Sequence, residues 1–414
     1  MLEARFRRIH LSLLVLSGFF LSDFGSAFEE TKVLPKGVRS ITFRSVSTDL
    51  SEKSNSSGEL IPLASALEKD VTFKSVVNRE IGSKKMLLQS FLHDKFAMED
   101  SLGKFSADMR GSVSVFAPIF SYGITDEISA GFSLPYYRAK MAVRLGFKPS
   151  PSAEKFVSLL QHQDSHQNAE ARTVVYKLNH AVEGLNAKLS QNGFAEIEDW
   201  EGQGLGDITL AAKYRFLNRS AVSVANATGF VLPTGRTLDA NTLIGVPFGE
   251  GVYSMFSSFV MDSQLGAGFI FTDYLKYSYL QPGRRELRLK TEEESIEVAK
   301  ENVSFKLGDR VDAGAALKYE PWFGLTAALG LNHSKKFSDR YAMNQYPESK
   351  KAWEKDTGQW SQRLEARLGY TSVPAFQRKE IAIPFSSSLE YSKTIKSKNS
   401  VVKDLMTFDV VVYF

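Results

Sequence analysis

Residues 405–414 read Leu-Met-Thr-Phe-Asp-Val-Val-Val-Tyr-Phe, and this stretch decides the fold. Side chains point alternately to the two faces of a β-strand. One face is therefore wholly apolar and finishes on the aromatic Phe414, whereas the opposite face includes Asp409. Such a strand suits the closure of an antiparallel barrel, because a last strand without a partner would leave an open edge. The alternative is a soluble protein that carries an amphipathic strand at this point.

The same stretch resembles the C-terminal signature by which the barrel-assembly machinery recognises outer-membrane barrels. The residues that carry the resemblance are Phe408, Val410, Val412 and Phe414. It implies that this machinery inserts the chain into an outer membrane, with periplasmic chaperones as earlier partners.

Period-two alternation recurs along the chain, as in residues 311–319, where Asp312 and Lys318 lie opposite an apolar face. Runs of about 11 to 16 residues suit a tilted crossing of a bilayer better than a soluble sheet. The sequence predicts an all-β fold, a transmembrane antiparallel β-barrel of about twelve strands, or fourteen if residues 50–104 hide a hairpin. The predicted strands are 37–48, 107–122, 127–142, 205–217, 221–232, 253–271, 274–281, 307–320, 323–337, 358–372, 381–396 and 401–414.

The predicted connections alternate between short and long. Short periplasmic turns that alternate with long external loops are typical of outer-membrane barrels, and an even strand number leaves both termini in the periplasm. Short turns are predicted near residues 125–126, 218–219, 272–273, 321–322 and 374–379, and long loops near 50–104, 146–204, 234–251, 282–305 and 339–356.

Residues 1–27 have the layout of a cleavable signal peptide. Three arginines between positions 5 and 8 precede an apolar run over residues 11–21, and small residues precede a cut ahead of Phe28. The apolar run is shorter than the roughly 20 residues that a membrane-spanning helix needs, which disfavours a membrane anchor. Residues 28–414 are then predicted to form a single barrel domain.

Composition excludes several classes of site. The chain of 414 residues has no cysteine, which rules out a disulfide framework, a thiolate metal site, a cysteine nucleophile and a lipidated cysteine. The net charge is only +4 and no long basic run occurs, so a nucleic-acid partner is not expected. No cofactor is implied.

Residues 150–191 differ from the rest because their apolar residues recur at helical spacing. We predict two amphipathic helices inserted in one external loop, which could cap the barrel mouth, fold into the lumen or lie over the rim. His162 and His166 could chelate a metal from one helix face, but a third ligand is not evident, so surface polar residues are the preferred interpretation.

The stretch Gly204-Leu205-Gly206-Asp207 leads into a strand, and Leu232-Pro233-Thr234-Gly235 closes the next one. A phosphate-binding loop is rejected, because a strand and not a helix follows the glycines. The two motifs, with Leu34-Pro35-Lys36-Gly37-Val38 before the first strand, resemble the phenol-degradation meta-pathway transporter family of outer-membrane barrels. The resemblance implies an envelope channel associated with aromatic compounds; the helical insertion at 150–191 departs from the family pattern.

Charged residues on the strand faces opposite the apolar ones are predicted to line the lumen, since a charge on the lipid face costs a few kcal/mol at the bilayer midplane. They could pair across strands and stabilise the barrel. Alternatively, Arg215, Arg310, Arg363 and Arg367 could form a cationic track that selects anionic solutes. The predicted lumen residues are Asp207, Lys213, Arg215, Asp262, Arg310, Asp312, Lys318, Glu320, Arg363, Glu365, Arg367 and Asp409.

The function predicted from the sequence is an outer-membrane channel for passive passage of small solutes, with aromatic or hydrophobic compounds as one candidate cargo. A barrel of this size falls between small filled barrels and open sixteen-stranded porins, so a narrow or plugged pore is expected. Outer-membrane lipid and lipopolysaccharide would surround it. The alternatives are a binding or structural barrel with a plugged lumen and, as a third class, an outer-membrane hydrolase.

Overall fold

The computed structural model describes residues 28–78, 83–93, 95–161, 175–289 and 299–414. Twelve antiparallel strands close into a β-barrel, as predicted. The strands are β1 (Arg39–Leu50), β2 (Ser101–Gly123), β3 (Ile128–Ser133), β4 (Ile208–Asn218), β5 (Val222–Leu232), β6 (Ser254–Gly266), β7 (Phe269–Leu280), β8 (Arg310–Tyr319), β9 (Leu325–Lys336), β10 (Gln359–Thr371), β11 (Phe385–Lys398) and β12 (Leu405–Tyr413).

Closure is made by the first and last strands. Residues 40–47 of β1 pair antiparallel with residues 406–413 of β12, and Arg39 and Phe414 exchange two backbone hydrogen bonds of 2.8 and 2.9 Å. β1 pairs with β2 on its other side, so it has no free edge. The apolar face of β12 points outward, with Phe408 and Phe414 about half exposed at 48% and 60%.

The wall separates apolar from charged side chains as the alternation predicts. On β9, Leu329 and Leu331 are exposed on the outside, whereas Asn332 is buried on the inside. On β10, Leu364 faces outward and Arg363 inward, with exposed fractions of 47% and 5%. An apolar outer band around a polar interior is the property that places a closed barrel in a bilayer. The fold is thus that of an outer-membrane β-barrel.

Both termini of the barrel and its five short turns lie at one end. The β6–β7 turn is centred on Ala267, five residues before the predicted turn at residues 272–273. Gly266, Ala267 and Gly268 all have positive φ angles of 89°, 50° and 82°, the conformation that a tight hairpin requires and glycine adopts without strain. The prediction was wrong here because the apolar run appeared to continue through this turn.

The wall bends at one place. A kink separates β3 from a strand that follows it, and a second kink separates β4 from a strand that precedes it. β3 stops at Ser133 and a strand over Tyr136–Pro149 carries on, paired with β2; a strand over Trp200–Leu205 likewise precedes β4. Gly206 at the kink donates its N–H to the carbonyl of Pro135 at 2.8 Å. A Cβ on Gly206 would lie 2.4 Å from the Tyr137 ring, so only glycine fits. The extended strands carry this side of the wall outward past the barrel.

The remaining elements belong to the external loops, apart from one helix over Val373–Gln377 in the last periplasmic turn. A hairpin does occur in residues 50–104, but it forms a separate two-stranded sheet and adds no strand to the barrel. The helices are α1 (Phe73–Val77), α2 (Ser83–Leu92), α3 (Pro151–Gln161), α4 (Ala181–Gln191), α5 (Pro347–Glu354) and α6 (Val373–Gln377), with a 3-10 turn at Leu63–Ala66. The short strands are Glu52–Ser54, Leu60–Pro62, Lys69–Thr72, Gly283–Arg288, Lys300–Lys306 and Arg340–Tyr341.

The described parts of the predicted helical insertion are helical, at α3, residues 175–179 and α4. α3 lies over the rim, where Phe156 packs edge-on against Phe73 of α1 with ring centroids 5.4 Å apart. Leu189 of α4 joins the core that covers the barrel mouth. In the described ranges no helix has the length and hydropathy to cross a membrane. The predicted signal peptide (residues 1–27) and the His162–His166 pair lie outside these ranges.

Candidate functional site: the barrel lumen

Residues 28–35, called the N-terminal segment below, run through the periplasmic half of the lumen before β1 begins. Thr31 is buried and donates both its N–H and its hydroxyl to one carboxylate oxygen of Asp262, at 2.9 and 2.7 Å. The other oxygen of Asp262 accepts from the Thr272 hydroxyl at 2.5 Å. Asp262, a predicted lumen residue, therefore binds the chain's own N-terminal segment.

Three more predicted lumen residues hold the same segment. Lys318 donates to the carbonyl of Glu29 and Lys213 to the carbonyl of Glu30, each at 2.8 Å. Glu320 forms an ion pair of 2.7 Å with Lys32. The hydrogen bonds from Lys318 and Lys213 contribute about 1.5 to 3 kcal/mol each, and the more exposed Lys32–Glu320 pair contributes less. These contacts fix a segment that has no strand partner of its own.

The beginning of the segment is anchored by an aromatic side chain. The Phe28 ring is 4% exposed and packs on the small Ala316 and Ala328 of β8 and β9. The Arg367 guanidinium lies 5.0 Å from the ring centroid, within the range of a cation–π contact. Farther along, the Leu34 N–H donates to the Ser129 hydroxyl at 2.7 Å. The N-terminal segment therefore contacts several strands around the barrel and obstructs the periplasmic half of the lumen.

Ion pairs between neighbouring strands lie along the inner wall of the barrel. Arg44 of β1 binds Asp409 of β12 through two parallel bonds of 2.9 and 2.8 Å, a geometry that only arginine offers a carboxylate. Arg367 and Glu390 pair at 3.0 Å across β10 and β11. These contacts favour the first of the two interpretations of the lumen charges, namely that they connect strands.

The arginines of the predicted cationic track are separated from one another by their partners. Arg310 binds Glu250 of an external loop, and both side chains are buried. Arg363 donates to the Asn332 amide oxygen at 3.2 Å and lies 3.6 Å from Glu365. Near the periplasmic end, Arg215 donates to the carbonyl of Asp126 at 3.0 Å. The contacts therefore do not show a continuous row of arginines without counter-charges. A role of these residues in solute passage remains a prediction.

Apolar side chains from the external loops fill the outer half. The loop over residues 233–253, called the inserted loop below, is buried throughout residues 243–250. Its Phe248 stacks on Tyr137 with ring centroids 5.1 Å apart. Other loops complete this outer core, which includes Val46, Leu50, Leu189, Phe194, Ile197, Leu243, Ile244, Val246, Leu280, Leu287, Val303, Phe305, Tyr341, Met343 and Trp353.

One buried cation joins the loops of the outer core. The Arg288 side chain is 1% exposed and donates to the carbonyls of Asn192 and Gly193 at 2.9 and 2.7 Å. It also donates to the Asn241 amide oxygen at 2.6 Å, and its guanidinium lies 3.8 Å from the centroid of the Phe194 ring. Nothing in the sequence of this loop distinguishes Arg288 from its neighbours Arg284 and Arg285.

The two family-like motifs meet at Asp207. Its carboxylate accepts the N–H of Gly235 at 2.8 Å and the N–H of Glu250 at 2.9 Å, so it holds both ends of the inserted loop. The Thr234 hydroxyl donates to the carbonyl of Gly206 at 2.8 Å. Asp207 was predicted as a lumen residue; its carboxylate is instead used to fix this loop at the kink in the wall.

We expect Asp207→Ala to destabilise the folded barrel by about 2 to 4 kcal/mol, because two partly buried N–H groups lose a charged acceptor. The fraction of heat-modifiable, folded protein over a urea titration in lipid vesicles measures this. Asp239→Ala is the matched control, because the carboxylate of the exposed Asp239 accepts a local 2.8 Å bond from the Asn241 N–H and holds no distant segment. Equal midpoints for the two variants would contradict the expectation.

Sequence reasoning missed several residues that the lumen brings together. Arg44 carried a signal, since it is a charge on the inward face of a strand with apolar neighbours. Glu250 and Arg288 carried none, because they lie in loops without periodicity. Asp312 and Glu365 were predicted and are buried, at 1% exposure each, with the Ser392 hydroxyl 3.3 Å from Glu365.

Comparison with solved structures finds barrels of the outer membrane. An outer-membrane channel from Pseudomonas putida F1 matches with a TM-score of 0.51 at 12% identity, covering 93% of this chain and 98% of that one. A Pseudomonas aeruginosa FadL homologue matches with a TM-score of 0.34 at 7% identity, covering 94% and 93%. The Ralstonia pickettii toluene transporter TbuX gives 0.35 at 10% identity, covering 92% and 90%.

The likeness is one of fold. At 12% identity, the match to the Pseudomonas putida channel supports the barrel architecture over nearly the whole of both chains. No protein-family model and no curated protein matches the sequence. Membership of the meta-pathway transporter family therefore stays a prediction from the motifs.

Proposed function

We propose that this protein is an outer-membrane channel for passive passage of small solutes, seen here in a closed conformation. The observation that carries the proposal is the way the lumen is closed. A barrel with a purely structural interior can be filled by its strand side chains, but here chain segments outside the wall occupy it. The N-terminal segment occupies the periplasmic half, and the inserted loop, together with parts of other external loops, occupies the outer half.

Both closures are held by contacts that can be released without unpairing a strand. The N-terminal segment is bound through side chains such as Asp262 and Lys318, and the inserted loop is anchored at its two ends by Asp207. A change in the position of either segment would leave the hydrogen-bond ladder of the barrel intact. Energy coupling and a cofactor are not needed for passive passage through such a pore.

The setting of this channel follows from the predicted export signals. We propose that residues 1–27 are removed, that periplasmic chaperones carry the chain, and that the barrel-assembly machinery recognises Phe408, Val410, Val412 and Phe414. Exposed aromatics at the periplasmic end, such as Trp322 and Phe323, would lie at the headgroup level of the bilayer. Lipid, and lipopolysaccharide in the outer leaflet, would then surround the apolar band.

The cargo is proposed on the motif resemblance alone. The family that the two motifs resemble is associated with aromatic compounds. Aromatic or hydrophobic compounds are therefore one candidate cargo for this channel. Small polar solutes are the other candidate cargo, because charged side chains line the lumen.

Planar-bilayer recording of the purified full chain tests the channel. We expect discrete conductance steps of low frequency, because both closures must be displaced at the same time. Liposome swelling in a small sugar or amino acid measures solute flux independently. Heat-dependent gel migration confirms that the recorded protein is a folded barrel. No current and no flux, even after both closures are removed as described in the Discussion, would overturn the proposal.

A binding or structural barrel is the second candidate. It is favoured by the apolar filling of the outer half, which resembles a protein core more than a pore. This candidate predicts that the barrel stays non-conducting in every variant that remains folded. The conductance of the double variant therefore separates the two functions.

A further inference from the structure

The outer surface of the extended wall changes from apolar to basic at one level. Phe116 of β2 lies opposite Tyr136, which in turn lies opposite Leu205, and all three side chains are exposed on the outside. Exposed aromatic side chains mark the edge of the apolar band of a membrane barrel. The next outward positions toward the exterior are Ser114, Ser112, Arg110 and Asp108 on β2, and Arg138, Lys140, Ala142 and Arg144 on the strand over Tyr136–Pro149. These positions therefore lie at the level of the headgroups of the outer leaflet.

Four of these residues form a cluster, called the basic face below: Arg110, Arg138, Lys140 and Arg144. Arg110 lies opposite Ala142, midway between Lys140 and Arg144, and such diagonal neighbours are about 7 to 8 Å apart. Arg138 precedes Lys140 on the same side of the strand by about 7 Å. The alternate side chains Tyr137, Ala139 and Met141 are buried in the outer core, so the basic side chains point away from it.

The ion pairs of the basic face are weak ones. Arg110 lies 3.4 Å from Asp108, and Lys140 lies 2.8 Å from Glu201 of the neighbouring strand. All four of these side chains are more than half exposed, and ion pairs of that kind contribute little, so an anionic ligand can replace them.

Two arginines of the basic face are available without breaking an ion pair. Arg138 and Arg144 are exposed and make no ion pair with any residue that the structure describes, although Arg144 lies opposite Asp108 in the strand register. The hydroxyls of Ser112 and Ser114 are exposed beside them. Guanidinium groups with neighbouring hydroxyls are donors that suit a phosphate.

We propose that the basic face binds the phosphate groups of a lipopolysaccharide molecule in the outer leaflet. The position of the face selects this partner. An amphiphile with acyl chains along the apolar band beside Phe116 and Tyr136 would hold its phosphates one or two strand steps farther out, where Arg138 and Arg144 lie. Arginine binds phosphate through paired hydrogen bonds that are stronger than those between neutral groups. The site is on the outside of the barrel, so it goes beyond the proposed channel and does not depend on an open pore.

Microscale thermophoresis of the detergent-solubilised full chain tests the site, with bisphosphorylated lipid A as the probe and dephosphorylated lipid A as its uncharged counterpart. The two probes share their acyl chains and differ in phosphate. We expect the bisphosphorylated form to bind at least about tenfold more tightly, because each basic residue at a charged lipid surface adds to the affinity.

The double variant Arg138→Gln with Arg144→Gln should weaken binding of bisphosphorylated lipid A by at least about tenfold. The matched control is Arg219→Gln with Arg378→Gln, which removes the same charge from exposed positions in two periplasmic turns. The control should bind within about twofold of the intact chain, because its arginines lie at the opposite end of the barrel. Heat-dependent gel migration of each variant shows that the barrel is folded.

Equal affinities for the two forms of lipid A would overturn the proposal, and so would equal effects of the two double variants. Phosphatidylglycerol that binds as tightly as bisphosphorylated lipid A would overturn the choice of lipopolysaccharide. Inorganic phosphate that displaces lipid A would assign the face to free phosphate instead. Because the measurement needs no current, a failure here leaves the channel proposal standing, and a non-conducting barrel that still binds lipid A overturns only the channel.

Discussion

Removing both closures at once should raise the single-channel conductance by at least about tenfold over the intact chain, since a barrel of this size without a plug has room for a water-filled path. The variant keeps residues 1–27, lacks residues 28–35, and has residues 236–249 of the inserted loop replaced by a four-residue Gly-Ser linker. The linker can be short because Gly235 and Glu250 donate to the same carboxylate, that of Asp207, and thus lie side by side.

The two single deletions should each have a small effect. Closures that follow one another along a pore act as resistances in series, so the remaining one still limits the current. The double variant is therefore expected to exceed the sum of the single ones by a wide margin. Recording all three variants in planar bilayers at one salt concentration measures this non-additivity.

The barrel should survive the double change. The hydrogen-bond ladders from β1 to β12 involve none of the deleted residues. Arg310 keeps Glu250 as its partner, because the replacement stops at residue 249. A folded, heat-modifiable double variant that conducts no better than the single deletions would mean that the lumen is closed by something else.

The wall of the barrel could be predicted from the sequence because it follows from a local rule. Alternation along a strand tells which side chains face lipid, and it placed Leu364 outside and Arg363 inside correctly. The twelve strands were found for the same reason. The β6–β7 turn was placed too late because Phe269 and Phe271 continue the apolar pattern, while the real signal was the pair Gly266 and Gly268.

The contents of the lumen could not be predicted, because they depend on contacts between distant residues. Thr31 and Asp262 are 231 residues apart, and no pattern in residues 28–35 indicates that they enter the barrel. The role of Asp207 was missed for a related reason. Its position beside a strand suggested an inward charge, whereas its partners are backbone N–H groups of a loop 28 and 43 residues away.

The second large effect is expected at Arg288, in the outer core. Arg288→Met keeps the volume of the side chain and removes its donors, so the acceptors on Asn192, Gly193 and Asn241 lose a buried charged partner. Leaving a buried acceptor without its donor costs about 1 to 3 kcal/mol for each acceptor. The barrel wall should remain folded, since these acceptors are all in loops.

Amide hydrogen exchange shows which parts of the chain are destabilised by Arg288→Met. Local opening governs hydrogen exchange, so the loss of the hydrogen bonds from Arg288 predicts at least about a hundredfold faster exchange of the amides in residues 192–194 and 240–241, while exchange in the strands is unchanged. Arg284→Met is the control, because the exposed Arg284 makes a single 3.1 Å bond to the Ser304 hydroxyl in the same hairpin. If the two variants exchange alike in these loops, Arg288 does not hold the outer core together. If only Arg288→Met exchanges faster and also conducts more often, the outer core is the external gate of the channel.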